Sequence, residues 1–389
     1  MTKPLAGLKV LDLTRLLPGP AATLHLADLG AVVIKIEDTG AGDYARRMGI
    51  VSQTGEDSLF FKLLNRNKRS LRLDLKNPLG VEVFLRLAAQ ADVVVESFRP
   101  GVVDKLGVGY SVVNTLNPRI VYCSISGYGQ TGPWRDRAGH DINYIATAGV
   151  LDQIGTPGGA PAVPNFQIGD LLGGALTPLV GLLAALVEAR TTGQGRYVDV
   201  AMTDSVFAHA YSPLLMTLAF GHPAPRGGDL LSGGFACYGV YRTADDRYLA
   251  VGALEPKFWA LLCITIERTD LTPFGLAIGD KGQWAKSELA TLFATLPLTH
   301  WTELFDSVDC CVTPVLTMDE AIQQVQLLAR GMLVDVDGMR QFAPPYRLSN
   351  FALGEPSPAP SAGQDSQAVL EEAGYGDAEI EHLRSVGVI

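Results

Sequence analysis

The sequence predicts an α/β fold built on a parallel sheet, with a second, smaller α+β domain. Three observations carry that prediction. Apolar runs alternate with helical patterns over the N-terminal third, two strand-like runs later flank an Asp-Asp turn, and the composition supplies enough apolar residues for large cores. The chain has 389 residues, 47% hydrophobic and 19% charged. At roughly 150 residues per domain, that length suggests two or three domains. A disordered chain is excluded, because such chains are rich in charge and poor in apolar residues. The 42 Gly and 23 Pro show no triplet period, which excludes a collagen.

The elements follow in order. Residues 8–13 (LKVLDL) form a short apolar strand pattern, punctuated by Pro18, Gly19 and Pro20. A helix pattern spans 21–29, and Gly30 is suited to its C-terminal end. Residues 31–36 (AVVIKI) are rich in β-branched side chains and read as a buried strand. Residues 70–75 (SLRLDL) alternate apolar and polar, the period of a strand. A helix at 78–90, a strand at 92–96 and another at 119–126 continue the alternation, which calls for right-handed crossovers in one parallel sheet. The charge-free run 171–187 holds Gly173, Gly174 and Pro178, and reads as a buried helix rather than a membrane span. Residues 201–218 are helical and apolar. Strands at 235–243 and 247–252 follow, then a mostly helical block to about 325. The tail from 351 is Pro/Ser/Ala-rich and precedes a short final helix with an acidic first turn. The expected domains are therefore 1–220, 225–325 and a C-terminal segment, 330–389.

Charge narrows the function. With 31 Lys plus Arg against 41 Asp plus Glu, the net charge is −10, so a general nucleic-acid binder is not expected. Five cysteines, two of them adjacent and none in C-x-x-C spacing, argue against a disulfide framework or a zinc site and for a reducing compartment. The first residues lack an apolar signal region and the chain ends VGVI, so a cytoplasmic location is expected.

One motif misleads. Gly127-Tyr128-Gly129-Gln130-Thr131-Gly132 fits G-x-G-x-x-G after a strand, but Pro133-Trp134-Arg135 follows where a dinucleotide fingerprint needs a helix. The glycines instead suggest a loop whose backbone comes close to something. Four other features can carry chemistry. The run from Asn65 to Lys76 holds five positive charges against one negative, which suits either a phosphate-bearing ligand or a solvated edge. Arg99 and Lys105 follow a strand end, where ligands of open α/β sheets bind. His140, in Gly139-His140-Asp141-Ile142-Asn143-Tyr144, precedes a helix pattern, where the neutral imidazole is favoured and can act as a base; a structural role is the alternative. Asp170 precedes the apolar run, either as an N-cap or as a base or nucleophile. Glu255 stands before Pro256, as a helix-start residue or a supporting carboxylate.

These residues together resemble the family III CoA-transferase superfamily, and within it the α-methylacyl-CoA racemases. The resemblance rests on Leu17-Pro18-Gly19-Pro20, the KRSLRLDLK run, Ser97-Phe98-Arg99-Pro100-Gly101, SGYGQTGPW, and the stretch from Asp309 to Val315. The hexapeptide from Gly139 to Tyr144, the GALEP stretch with Glu255 and APRGGDLLSGGF are racemase-like. The loop from 40 to 67 is transferase-like. The resemblance implies a large Rossmann-like domain and a small domain, two chains interlocked as a homodimer, and a C-terminal segment that returns to the large domain. It implies that His140 and Asp170 are the acid/base pair, with Glu255 supporting the His from the other subunit. Arg69, Leu73, Asp74, Leu75, Lys76, Ser97, Phe98, Arg99, Lys105, Gly139, Asp141, Ile142, Asn143 and Tyr144 match stretches that line the CoA-thioester site. Glu37-Asp38-Thr39 stands where racemases carry an Arg for the nucleotide, so phosphates are expected to lean on Arg69, Arg99, Lys105, Arg46 or Arg47.

The implied activity is racemisation of a 2-methylacyl-CoA by 1,1-proton transfer through an enolate. It needs no metal or separate cofactor, since CoA is part of the substrate. The alternative is a CoA-transferase in which Asp170 attacks the thioester. A non-catalytic acyl-CoA binder is the third reading.

Overall fold

The β-branched runs become the strands of one sheet. A computed structural model describes residues 3–51, 57–351 and 354–389. Residues 52–56 of the transferase-like loop and 352–353 of the tail lie outside the described residues. Strands β1 (Lys9–Leu13), β2 (Val32–Glu37), β3 (Lys68–Arg72), β4 (Val93–Glu96), β5 (Val121–Ser126) and β6 (Tyr197–Ala201) lie in the order β3-β2-β1-β4-β5-β6, all parallel. The chain winds outward from β1 to β3, then returns to β4 on the other side of β1. That reversal between β1 and β4 opens a crevice at the carboxyl ends of the strands, the usual ligand position in such sheets.

Alternate residues feed opposite faces. Leu11, Ile34, Leu71, Val94 and Tyr122 pack on one side with Phe84 and with Val369, Leu370 and Ile380 of the C-terminal segment. Val10, Val33, Val93, Val95 and Cys123 pack on the other with Leu182 and Leu186. Truncating a residue as buried as Phe84 to Ala costs about 3–5 kcal/mol.

Residues group by contact into two units. The first comprises the described residues of Met1–Ala148, Phe166–His209 and Gln326–Ile389; the second comprises Gly149–Asn165 and Ala210–Val325. The second unit holds an antiparallel sheet of β7 (Tyr238–Arg242), β8 (Tyr248–Gly252) and β9 (Val312–Pro314), in that order. Asp246 adopts φ +58° in the β7–β8 turn, a conformation Asp tolerates. Trp259, Leu262, Phe293, Trp301 and Phe305 build its core.

Several expectations need correction. The apolar stretch 201–218 is not one helix: it contributes the end of β6, a helix Met202–Ala208, a break at His209 and Ala210, and a second helix Tyr211–Phe220. Apolar periodicity ran through the break, although Pro213, in the first turn of the second helix, marks its start. The final helix is two, Ser366–Glu372 and Asp377–Ser385, and the acidic first turn belongs to the second. A hairpin of β10 (Leu333–Val336) and β11 (Met339–Phe342) precedes the tail. The 171–187 run is half-buried rather than buried. It lies in a continuous helix Gly169–Thr192, long and apolar enough to cross a membrane by length and composition. One face packs inside the first unit through Leu182, Ala185 and Ala189, while Val180 and Val187 are exposed. All five cysteines are free.

Candidate active site

The carboxyl ends of β1, β4 and β5 open into one cleft of about 750 Å³, a volume suited to a small-molecule ligand. Arg15 and Leu16 contribute from beyond β1, Ser97 to Pro100 from beyond β4, and Ser126 to Tyr128 from β5 onward. His140, Asn143, Tyr144, Asp170 and Met202 also line the wall.

His140 is the N-cap of the helix Asp141–Thr147, in extended backbone. Its N–H donates to Asn143 Oδ1 at 3.0 Å, and its carbonyl accepts the N–H of Asn143 at 2.8 Å. The helix start is thus closed by the Asn143 amide. Tyr144 locks the preceding loop: its hydroxyl donates to the Gly139 carbonyl at 2.5 Å, and its ring meets Tyr128 edge-on at 5.4 Å. A Cβ at Gly127 would lie 2.4 Å from this ring, and one at Gly139 2.7 Å. The Gly-rich loop therefore approaches a tyrosine ring, and no helix opens at Gly132, as the rejection of a dinucleotide fingerprint required.

Asp170 is not the N-cap of its helix. It lies within the first turn of a π-helical segment, Gly169–Leu176, that runs into the α-helix Thr177–Thr192. Wide turns of this kind recur at functional sites. Gly173 and Gly174 let the segment pack closely on Met202 and Pro18, where Cβ atoms would fall within 3 Å of both. The Asp170 N–H donates to Asp141 Oδ1 at 3.0 Å, which ties the two acid-bearing helices together. Burial, and then the Asp141 charge, push the Asp170 carboxyl up to about 7. A carboxyl there exchanges a proton readily near neutral pH. Burial also raises the Tyr144 phenol, so it stays protonated.

The structure brings Ser97, Phe98, Arg99, Gly139, His140, Asn143, Tyr144 and Asp170 together on the cleft. Asp141 and Ile142 begin the same helix behind His140. The candidate residues in and after β3 lie elsewhere. Arg69 pairs with Glu372 at 2.7 Å, Leu73 is core, and the Asp74 N–H donates to Val388 O at 2.9 Å. Leu75 packs against the core, while Lys76 and Lys105 are exposed. Glu255 caps the helix Pro256–Thr265 of the second unit and is exposed.

At its centre the basic cluster is not a solvated edge, because its charges are paired inside the fold. Arg66 is buried against Asp28 at 2.6 Å, and Lys68 is buried with Asp12 at 3.2 Å. Burial lowers Lys68 to about 8, against the opposing pull of Asp12. The acidic pair is equally internal. Glu37 is buried and accepts from Arg46 Nη2 at 2.6 Å and from Ser70 Oγ at 2.9 Å. Burial alone would raise its pKa, but the Arg46 hydrogen bonds and the Lys35 and Arg46 charges hold it down to about 2. Arg46 also binds Asp57 at 2.8 Å, so it is consumed and not a phosphate arm. Asp38 pairs with Arg15 at 2.7 Å.

Sequence reasoning missed the cations that do face the cleft: Arg15, Arg135 and Arg137. Arg137 stacks over Trp134 at 4.0 Å, and Arg135 Nε donates to Gln130 O at 2.9 Å. A signal existed, since Arg15 lies two residues past β1 as Arg99 lies three past β4, on either side of the strand-order reversal.

A family model described as CoA-transferase family III matches residues 5–366. The chain is 36% identical over 389 residues to the alpha-methylacyl-CoA racemase of Homo sapiens, covering 99% of this chain and 97% of that protein. It is 33% identical over 399 residues to the succinyl-CoA:glutarate CoA-transferase of Homo sapiens, covering 100% and 90%. A crystal structure of a CAIB/BAIF family protein from Brucella suis superposes with a TM-score of 0.84 at 29% identity, covering 96% of this chain and 100% of that one.

Proposed function

The chain belongs to CoA-transferase family III, and from that premise we propose that it racemises 2-methylacyl-CoA thioesters, with His140 and Asp170 as the acid/base pair. The observation that carries this reading is a histidine and a carboxyl of pKa about 7 on the wall of one cleft. Racemisation removes the α-proton from one face of the thioester and returns a proton to the other. One residue per face does this with least motion. The base takes the α-proton, the electron pair moves into the enolate, and the opposite residue protonates the α-carbon. A carboxyl that is half protonated at neutral pH serves in either direction. Backbone N–H groups around Gly139 are suited to hold the enolate oxygen. Glu255 of the partner subunit would orient the imidazole and stabilise its charged form. This reading makes the enzyme a homodimer that works without a further cofactor. Arg99 and Arg137 line the cleft where CoA phosphates need cations, with no ion pair among the described residues; Arg15 and Arg135 also line it but are paired with Asp38 and Asp136.

The second reading is a CoA-transferase, favoured by the 33% identity to a succinyl-CoA:glutarate CoA-transferase. There Asp170 would attack the thioester carbonyl, expel CoA as a thiolate and leave an acyl-enzyme anhydride. That role leaves His140 on the cleft wall without a part, which disfavours it.

One pure enantiomer of a 2-methylacyl-CoA in D₂O, with no acceptor acid, separates the two. α-Deuterium incorporation with loss of stereochemical purity supports the racemase. No exchange, with CoA transfer appearing only after a free carboxylic acid is added, moves the assignment to the transferase.

A further inference from the structure

Glu96 is a buried carboxylate that the proton transfer does not use. It ends β4 at the crevice, 2% exposed, opposite Leu13 of β1 and Ser124 of β5. Its Oε2 accepts the Phe98 N–H at 2.7 Å. That bond closes the turn leading into Ser97, Phe98 and Arg99, all on the cleft wall. Other ties also hold the segment: Phe98 packs against the core, and Arg99 O accepts the Val102 N–H at 3.1 Å. Ser97 Oγ accepts the Arg15 N–H at 3.3 Å, and the Arg15 guanidinium lies 5.4 Å from the Phe98 ring.

We propose that Glu96 is a proton-sensitive positioning residue: ionised, it holds the segment Ser97 to Arg99 in the shape that receives the CoA thioester, and on protonation it lets that segment loosen. This deepens the reading of the cleft as a CoA-thioester site and rests on it. The surroundings support the titration. Asp104 faces Glu96 from the helix Val102–Lys105, Tyr122 and Cys123 from β5, and Tyr197 and Asp199 from β6. Leu13, its neighbour on β1, is uncharged, and no ion pair forms on Glu96 among the described residues. Burial, opposed by the Phe98 N–H hydrogen bond and aided by Asp104 and Asp199, raises Glu96 to about 7. A charged acceptor makes roughly twice as strong a hydrogen bond as a neutral one. Protonation therefore weakens the tie to Phe98 within the physiological range.

The test is the dissociation constant of dephospho-CoA, measured by calorimetry from pH 5.5 to 8.5. This probe lacks the 3′-phosphomonoester, whose second ionisation near pH 6 would otherwise overlap. Wild-type binding should weaken about 3- to 10-fold from pH 8 to pH 6. In Glu96→Gln the amide oxygen still accepts the Phe98 N–H but cannot ionise, so the profile loses that part of its slope. Titration of Asp170 persists in both proteins, so the difference between profiles is the readout. Asp104→Asn, on the surface, should move the wild-type midpoint to lower pH without touching the Phe98 bond. It keeps the idea testable should Glu96→Gln not fold. A Glu96→Gln slope equal to wild type, or an Asp104→Asn midpoint that stays put, overturns the role of Glu96. Absence of dephospho-CoA binding by the wild type at every pH overturns the cleft reading and the proposal with it.

Discussion

Replacing Asp141 by Asn tests how the proton affinity of Asp170 is set. The amide keeps an oxygen for the Asp170 N–H, now held at 3.0 Å by Asp141 Oδ1, so geometry is preserved while one negative charge is removed. For two carboxyls about 6 Å apart, a unit charge is worth about 0.7–3 kcal/mol at effective dielectrics of about 80 to 20, or about 0.5–2 pKa units. Burial is the larger cause of the upward shift, so Asp170 should fall from about 7 but stay above its ordinary value of 3.8. With a drop of about one unit, the protonated fraction at pH 7 falls from about half to about a tenth, and kcat/KM there falls about fivefold. The assay is α-proton exchange and racemisation of each enantiomer between pH 5 and 9. The limb of the bell-shaped profile belonging to Asp170 should move to lower pH in both directions. The readout is the displacement of that macroscopic limb. A limb that stays in place, or moves to higher pH, refutes the reasoning.

Other substitutions probe the remaining parts. His140→Ala and Glu255→Ala should each lower α-proton exchange, by about 10²–10⁴ for the His. Mixed dimers of the two should regain activity, since one of their sites pairs an intact His140 with an intact Glu255; no recovery in verified mixed dimers would show that Glu255 does not act across subunits. Arg99→Ala should raise KM for the CoA thioester roughly 10- to 100-fold with little change in kcat, and should flatten its dependence on salt; an unchanged KM would remove Arg99 from phosphate binding. The Glu37–Arg46 pair predicts a stability profile. Glu37 is held below its ordinary 4.5 at about 2, so its contribution is complete above about pH 4.5 and is lost as pH falls toward 2. That contribution is about 3 kcal/mol. Arg46→Met should shrink the profile and destabilise by about 3–5 kcal/mol, because Glu37 is left buried with only Ser70, the Asp43 N–H and the Lys35 charge to hold it. A denaturation midpoint unchanged by Arg46→Met would refute that account.

The sequence alone determined much of the sheet and the candidate acid/base residues. The strands β1, β2, β4 and β5 were legible because β-branched runs bounded by Gly, Pro and polar residues encode a strand within a few residues of chain. The candidates His140 and Asp170 were legible because each precedes a helical pattern after a punctuated loop. By contrast β6 was missed: its YVDVA alternation is short and runs directly into a helix. Which charges remain free was decided only by the tertiary structure. Arg66, Lys68 and Arg46 look available along the chain, yet Asp28, Asp12 and Glu37 neutralise them from distant segments or adjoining strands. Arg15, Arg135 and Arg137 look unremarkable along the chain, yet they share the cleft wall. The physical reason is the range of the forces. Backbone preference and periodicity act over a few residues, whereas burial and ion pairing act between groups that only the closed fold makes neighbours.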